Sequence, residues 1–220
     1  MKSKIKAIGF DFDGTLIMSE DKKAQAMVEV FQECYEIKKG VKKEYQKLIG
    51  SGMNRDEKVK SLTKTFLKRE PTKKELKLIA NHFGQHYQQS LNVCPLFQCT
   101  NIIKELKKQV KFIFLLSLEN KKEVKQVAKH CGLSKYFDEI LGGPNSKLKN
   151  FEHVLKKHHL KPNEVIYIGD SNSDVIASKK EKIKVVLINK KFHYKKIRKE
   201  LEADFTFSSL CEIPKKIDQF

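Results

Sequence analysis

Ala7-Ile8-Gly9-Phe10-Asp11-Phe12-Asp13-Gly14-Thr15-Leu16 begins as an apolar run and ends in two acids, a glycine and a threonine. Before it, Lys4-Ile5-Lys6 alternates charged with apolar, so residues 4–10 read as a strand entering a core. In extended backbone, residues two apart point the same way. Asp11 and Asp13 therefore face one pocket while Phe12 turns away to pack. Gly14 permits a sharp turn. Two close carboxylates repel unless a cation or a proton separates their roles. Magnesium takes oxygen ligands and needs only one or two protein carboxylates. An isolated Asp-x-Asp is common in loops, so the weight of this stretch depends on what the rest of the chain brings to it.

From about residue 19 to 91 the pattern turns helical. Ala26, Met27, Val30, Phe31 and Cys34 recur at helical spacing, as do Val59, Leu62, Phe66 and Leu67. Leu76, Ile79, Ala80 and Phe83 form a third set behind the start signal Pro71-Thr72. Gly40 and Gly50-Ser51-Gly52 are the breaks. After Pro95, strands and helices alternate. Strands are predicted at 110–116, 140–141, 165–168 and 185–188, with a short one near Phe205; helices are predicted at 121–129, 151–158 and 174–180. Such alternation predicts a doubly wound α/β fold, a parallel sheet covered on both faces. Because one strand precedes the helical block, that block reads as an insertion. Residues 1–16 and 93–220 then make the α/β core, and 17–92 an all-helical cap domain. Ligands of such sheets bind outside the carboxyl ends of the strands. Asp11 and Asp13 follow the first strand, Ser117 ends the second, and Asp170 follows the 165–168 strand. Three strands deliver polar groups to one edge.

Composition narrows the class further. Within 220 residues, 10 Gly, 5 Pro and 5 Cys exclude collagen-like, low-complexity and disulfide-scaffold chains. The longest apolar stretch, 112–118, contains Ser117 and is too short to cross a bilayer. The basic start leads into no apolar signal segment. A cytoplasmic protein without a membrane partner is expected. The cysteines (Cys34, Cys94, Cys99, Cys131, Cys211) are odd in number and lack Cys-x-x-Cys spacing, which predicts free thiols in a reducing compartment. The net charge of +18 raises the question of nucleic acid. Of the 45 basic residues, however, only Arg55, Arg69 and Arg198 carry the guanidinium fork that suits phosphate and base recognition. The lysines are scattered over every segment, so a solvated lysine surface is the simpler account and a nucleic-acid partner is not expected.

Asp11-Phe12-Asp13-Gly14-Thr15-Leu16, Ser117 after an apolar strand, a lysine near 147, and Gly169-Asp170-Ser171-Asn172-Ser173-Asp174 resemble, in order, the four motifs of the haloacid dehalogenase-like hydrolases. The resemblance spans nearly the whole chain, including Ala203-Asp204 and the helical insertion after the first motif. It is nearest to the subgroup of phosphoglycolate phosphatase and beta-phosphoglucomutase. It implies that Asp11 is a nucleophile forming an aspartyl-phosphate and that Asp13 is the general acid and base. It also implies Mg²⁺ held by the Asp11 and Asp170 carboxylates and the Asp13 main-chain carbonyl. Ser117 would bind a phosphoryl oxygen, Lys147 would offset charge on Asp11 and the phosphate, and Asp174 would orient the lysine or a metal-bound water. Lys149 rivals Lys147; the distance from Lys147 to Leu160 fits the family's spacing. Ser117 could instead cap the following helix, and Asp170 and Asp174 could serve as loop and helix-cap carboxylates.

In the cap, Gly50-Ser51-Gly52-Met53-Asn54-Arg55 resembles the loop that dips toward the active site in this subgroup, so Asn54 and Arg55 are candidates for the substrate's distal group. Arg55 as a plain helix-surface residue is the rival reading. His82 and His86, at i,i+4 spacing, lack the glutamate of a zinc-protease motif and read as surface or core. Departures from the family pattern are Leu148 where proline is frequent, Leu118 where asparagine follows the serine, and Met18 before Ser19-Glu20. Glu181-Lys182 stands where Ala-Gly often ends the helix, and a left-handed residue at Lys182 would cost on the order of 1 kcal/mol. The expected activity is Mg²⁺-dependent hydrolysis of a small phosphorylated metabolite by a monomer or weak homodimer, with cap closure excluding water. A phosphomutase, or a non-catalytic anion- or nucleic-acid-binding protein on the same fold, is the alternative.

Overall fold

The computed structural model describes residues 5–91, 96–188 and 202–216. Lys4, Cys94, Arg198 and the boundary at 92/93 lie outside the described residues. The chain divides into two compact units, Met1–Met18 with Leu96–Phe220, and Ser19–Pro95.

The first unit is a parallel sheet. Its strands are β1 (Ala7–Phe10), β2 (Phe112–Asn120), β3 (Glu139–Gly143), β4 (Val165–Gly169), β5 (Lys184–Ile188) and β6 (Phe205–Phe207). Their order is β3-β2-β1-β4-β5-β6, and every pairing is parallel. All residues of β1 and β4 are buried, which explains why they read as continuous apolar runs and not as alternating ones. One face carries Ala7, Phe112, Phe114, Leu116, Val165 and Tyr167 against Phe151 and Val154. Those last two belong to α7 (Lys147–Lys157). Gly9 makes this face possible: a Cβ there would lie 2.3 Å from the Phe114 ring and 2.7 Å from the Tyr167 ring. The other helices of the unit are α5 (Ile102–Leu106), α6 (Lys121–His130) and α8 (Asn172–Lys180).

Strand β1 is central. The chain runs from it to β2 and β3 on one side, then returns to β4 on the other. The reversal falls between β1 and β4, the topological switch point where open α/β sheets bind ligands. Several boundaries differ from the sequence reading. Strand β2 runs on through Ser117 to Asn120, with a register shift against β3 between Leu116 and Asn120. Helix α7 starts four residues earlier than the apolar pattern predicts, because its first turn presents Lys147 and Asn150, which the periodicity could not count as inward-facing. Lys182 has φ of 59°, so the left-handed end of α8 falls on a lysine.

The cysteine reading is overturned in part. Cys99 and Cys211 form a disulfide with Cα atoms 5.3 Å apart. The turn before α5 lies against the 3₁₀ segment Leu210–Lys215, a proximity hidden by 112 intervening residues. Cys34 is free.

The second unit contains α1 (Glu20–Tyr35), α2 (Val41–Lys47), α3 (Arg55–Leu67) and α4 (Lys73–Gln89). Helices α1 and α4 pack through Met27, Val30 and Phe31 and through Ile79, Phe83 and Tyr87. Capping boxes open α3 (Asn54 with Glu57) and α4 (Thr72 with Glu75). Cys34, Phe66 and Leu67, placed on inward faces by periodicity, are only half-buried. No helix among the described residues is long and apolar enough to cross a membrane.

Candidate active site

The carboxyl ends of β1, β2 and β4 and the first turns of α7 and α8 supply the site. Asp11 directly follows β1, and its main-chain N–H donates to the Ile168 carbonyl of β4 (2.8 Å), so its position is tied to the sheet itself. Its side chain is buried. Lys147, the first residue of α7, donates to Asp11 Oδ1 (2.6 Å) and also to Asp174 Oδ1. Lys149 is exposed; its main-chain N–H donates to the Ser146 hydroxyl that caps α7. The choice between the two lysines, open in the sequence, is a difference between one side chain inside and one in solvent.

Asp170 follows β4 and is buried beside Asp11 and Asp174. One carboxylate oxygen from each of the three lies within 4.8 Å of the others. This is the only such metal-ligating cluster among the described residues. Gly14 allows the approach: its φ is +85°, and a Cβ there would sit 2.3 Å from Asp170 Oδ2. Asp174 is held from all sides. Its Oδ2 accepts from the main-chain N–H of Asp170 (3.2 Å) and of Ser171 (2.9 Å), and from the Ser171 hydroxyl (2.5 Å). It is thus both the helix-cap carboxylate that the plain reading foresaw and a partner of Lys147.

Ser117 is buried and lies within β2. Its hydroxyl donates to Asp13 Oδ2 (3.2 Å) and accepts from the Glu119 N–H (3.1 Å). The cap of α6 is Asn120, so the helix-cap alternative for Ser117 falls away. Asp13 is half-buried. Asp11, Asp13, Ser117, Lys147, Asp170 and Asp174 are therefore brought together.

Two further residues belong with them. The Thr15 hydroxyl donates toward Asp170 Oδ1 (3.3 Å) and Asp11 Oδ2 (3.5 Å). Tyr167 lies under Lys147, with its hydroxyl 3.4 Å from Nζ. Thr15 stands inside the motif but four residues from Asp11, a spacing only the turn reveals. Tyr167 is hidden among aliphatic strand residues, although a buried phenol usually finds a hydrogen-bond partner.

Asn54 and Arg55 belong to the helical unit. The Asn54 carbonyl oxygen accepts from the Glu57 N–H (3.0 Å), closing the capping box. The Arg55 guanidinium lies over the Phe83 ring, 4.4 Å from its centroid, so Arg55 is half-buried and not the plain surface residue. In the same unit Lys23 is buried over the Tyr87 ring (5.5 Å), a charged core residue that periodicity had passed over. His82 and His86 each bond one oxygen of the Glu33 carboxylate (2.8 and 2.7 Å).

Electrostatics set the α/β site apart. Three buried carboxylates lie together, and one ammonium bridges two of them, Asp11 and Asp174. Burial pushes the Asp11 carboxyl up to about 8; Lys147 pulls it down, and Asp174 and Asp170 push it up again. Burial works to lower Lys147, but the charges of Asp11 and Asp174 hold it above the ordinary lysine value. Burial raises Tyr167 well above the usual phenol. A compact set of hard oxygen donors with surplus negative charge suits a divalent cation.

The match to the haloacid dehalogenase-like hydrolase family runs over residues 8–188 and so includes each of these acids and the lysine. The chain belongs to this family. Among relatives of this hydrolase is the phosphoglycolate phosphatase of Pasteurella multocida, 23% identical, with 96% of this chain and 97% of the relative covered. Its fold resembles that of a predicted phosphoglycolate phosphatase from Haemophilus somnus: TM-score 0.84, 24% identity, 98% of this chain and 99% of that one covered. It also resembles YfnB of Bacillus subtilis, a structure bound to magnesium: TM-score 0.73, 17% identity, 97% and 99% covered.

Proposed function

We propose that this hydrolase is a magnesium-dependent phosphatase that cleaves a small phosphomonoester through phosphorylated Asp11. The observation that carries the reading is the buried Asp11–Lys147–Asp174 chain set beside Asp170 at the sheet's switch point. The family and the phosphatase relatives support the same reaction class.

The Asp11 carboxylate attacks phosphorus and the bond to the leaving oxygen breaks. Asp13 gives its proton to the departing alcohol. Asp13 then takes a proton from water, whose oxygen attacks the acyl phosphate, releasing inorganic phosphate and restoring Asp11. Ser117 donates to a phosphoryl oxygen, and Lys147 balances the charge that builds there. Asp174 keeps the lysine in place. The Asp11 and Asp170 carboxylates and the Asp13 carbonyl are assigned to hold Mg²⁺. When bound, the ion offsets the negative charge of the phosphoryl oxygens. The magnesium in YfnB favours this choice of ion.

Selectivity is assigned to the helical unit, with Arg55 as reader of an anionic distal group and Asn54 beside it. The phosphatase relatives make phosphoglycolate the first substrate to try. The test is phosphate release from phosphoglycolate, sugar phosphates, nucleotides and cofactor phosphates with Mg²⁺, using Asp11→Asn as the blank. Turnover of at least one small ester by the wild type alone is expected. Equal release by the Asn variant overturns the assignment of Asp11.

A further inference from the structure

We infer that Tyr167 is a positioning residue that fixes both phosphoryl-binding groups through one buried hydroxyl. The inference rests on the proposed roles of Lys147 and Ser117.

The phenol is fully buried on β4. It donates to the Leu116 carbonyl of β2 (3.2 Å), with the Asp174 carboxylate as a second acceptor, and accepts from Lys147 Nζ (3.4 Å). Leu116 immediately precedes Ser117 and is the last residue of β2 in regular register with β3. The register shifts after it, and pairing resumes only at Asn120, opposite Gly143. The Tyr167 hydroxyl therefore holds β2 where its register against β3 breaks, and the first residue inside that irregular stretch is the serine. The same oxygen touches the ammonium that bridges Asp11 and Asp174, and the ring lies 5.6 Å below that ammonium.

The ring itself has little freedom. It meets Phe151 edge-on (4.8 Å between centroids) and stacks on Phe114 (6.4 Å). Gly9 leaves the space it occupies. A hydroxyl on so rigid a support is a fixed point, and from β4 it reaches both α7 and, across β1, β2. Packing needs only the ring. Phenylalanine would fill the same space, so the hydroxyl is the part that requires a reason. Removing it leaves the Leu116 carbonyl without this donor and the ammonium without its third oxygen. The ammonium can then follow either carboxylate, and Ser117 can drift with its strand. Both losses fall on groups that meet the phosphoryl oxygens as charge develops.

The experiment uses the intact protein, Mg²⁺ and p-nitrophenyl phosphate, comparing wild type, Tyr167→Phe, Lys147→Arg and the double variant, with Asp11→Asn as the blank. Tyr167→Phe is expected to melt within a few degrees of wild type. Its kcat should fall on the order of ten- to a hundredfold, the scale of a hydrogen bond to a charged group, with KM nearly unchanged. Inhibition by orthovanadate, which mimics the five-coordinate state, should weaken with kcat, while inhibition by inorganic phosphate should not. The effect should shrink in the Lys147→Arg background, because coupled residues are not additive. Wild-type kcat in Tyr167→Phe, or a loss that is equal in both backgrounds, overturns the inference. If Asp11→Asn matches wild type, the site assignment has failed and the inference goes with it. If the blank is inactive, any failure belongs to the tyrosine alone.

Discussion

Helix α7 carries a lysine pair to two carboxylates of very different fate. At its start, Lys147 meets Asp11; near its end, Lys157 meets Glu139 of β3 at 2.9 Å. His153 (3.1 Å) and His158 (2.9 Å) join Lys157 around the same glutamate. Burial works to raise Glu139, but hydrogen bonds from His158, Lys157 and His153 bring it down to about 2. Asp11 goes the other way, up to about 8. Burial is the largest cause of the rise at Asp11, whereas at Glu139 the surrounding bases outweigh it. Glu139 is one acid among three bases, whereas Asp11 is one of three clustered buried acids with a single ammonium bonded to it and to Asp174. The Glu139 cluster stabilises the fold that builds it. At the Asp11 cluster burial and the neighbouring acids oppose ionisation, and carboxyls perturbed in this way gather at functional sites.

The sharpest way to break this contrast is to neutralise each acid in turn. Asp11→Asn should lower phosphate release by at least about a thousandfold, as loss of a nucleophile does. Without metal it should nevertheless melt higher than wild type, because the cost of burying that carboxyl beside two others is gone. Glu139→Gln should do the reverse, leaving kcat within about twofold and lowering the melting temperature. A destabilised Asp11→Asn would mean that the Lys147 ion pair outweighs the crowding.

Next in size is the lysine. Lys147→Ala should reduce kcat about a hundred- to a thousandfold, the scale for removing one preorganised donor. Lys149→Ala should stay near wild type, since its side chain is exposed. The opposite ranking would move the charge-balancing role to Lys149. Metal removal sharpens the same point. Dialysis against EDTA should abolish turnover and Mg²⁺ should restore it. Mg²⁺ should also raise the melting temperature of wild type more than that of Asp170→Asn, read by calorimetry, because binding to the folded state alone stabilises it.

The contrast also shows what a sequence can carry. The sheet was legible because buried strands are locally apolar and the acids directly follow them; Asp11 and Asp170 needed no three-dimensional knowledge to be picked out. Lys147 was found through the family's spacing, since a chain with 42 lysines offers no local signal for the buried one. Tyr167 and Thr15 were missed because their partners are distant in sequence or hidden by a turn. The glutamates that gather histidines, Glu33 and Glu139, were invisible for the same reason: periodicity places His82 and His86 on one face of a helix but does not say which carboxylate lies opposite. The Cys99–Cys211 bridge escaped because cysteine spacing speaks only to short loops.

The smallest effects belong to the exposed and half-exposed clusters, and pH separates them from the active site. The folded-state pKa of Glu139 is depressed from its ordinary 4.5 to about 2, so the folded protein releases that proton more readily than the unfolded chain. Its stabilising contribution is fully present above about pH 4.5 and is lost as pH falls through about 2. Thermal melts of wild type and Glu139→Gln should therefore differ at pH 7, by about 1 kcal/mol for a cluster partly open to solvent. The difference should narrow steadily from pH 4.5 downward. Glu33 is also lowered, by hydrogen bonds from His82 and His86, but its side chain is 43% exposed, and water screens what the imidazoles supply. Glu33→Gln should shift the melting curve by no more than its experimental error at any pH. If instead Glu33→Gln cost as much as Glu139→Gln, burial would not be what separates the two clusters, and the weight given to burial at Asp11 would have to be reconsidered with it.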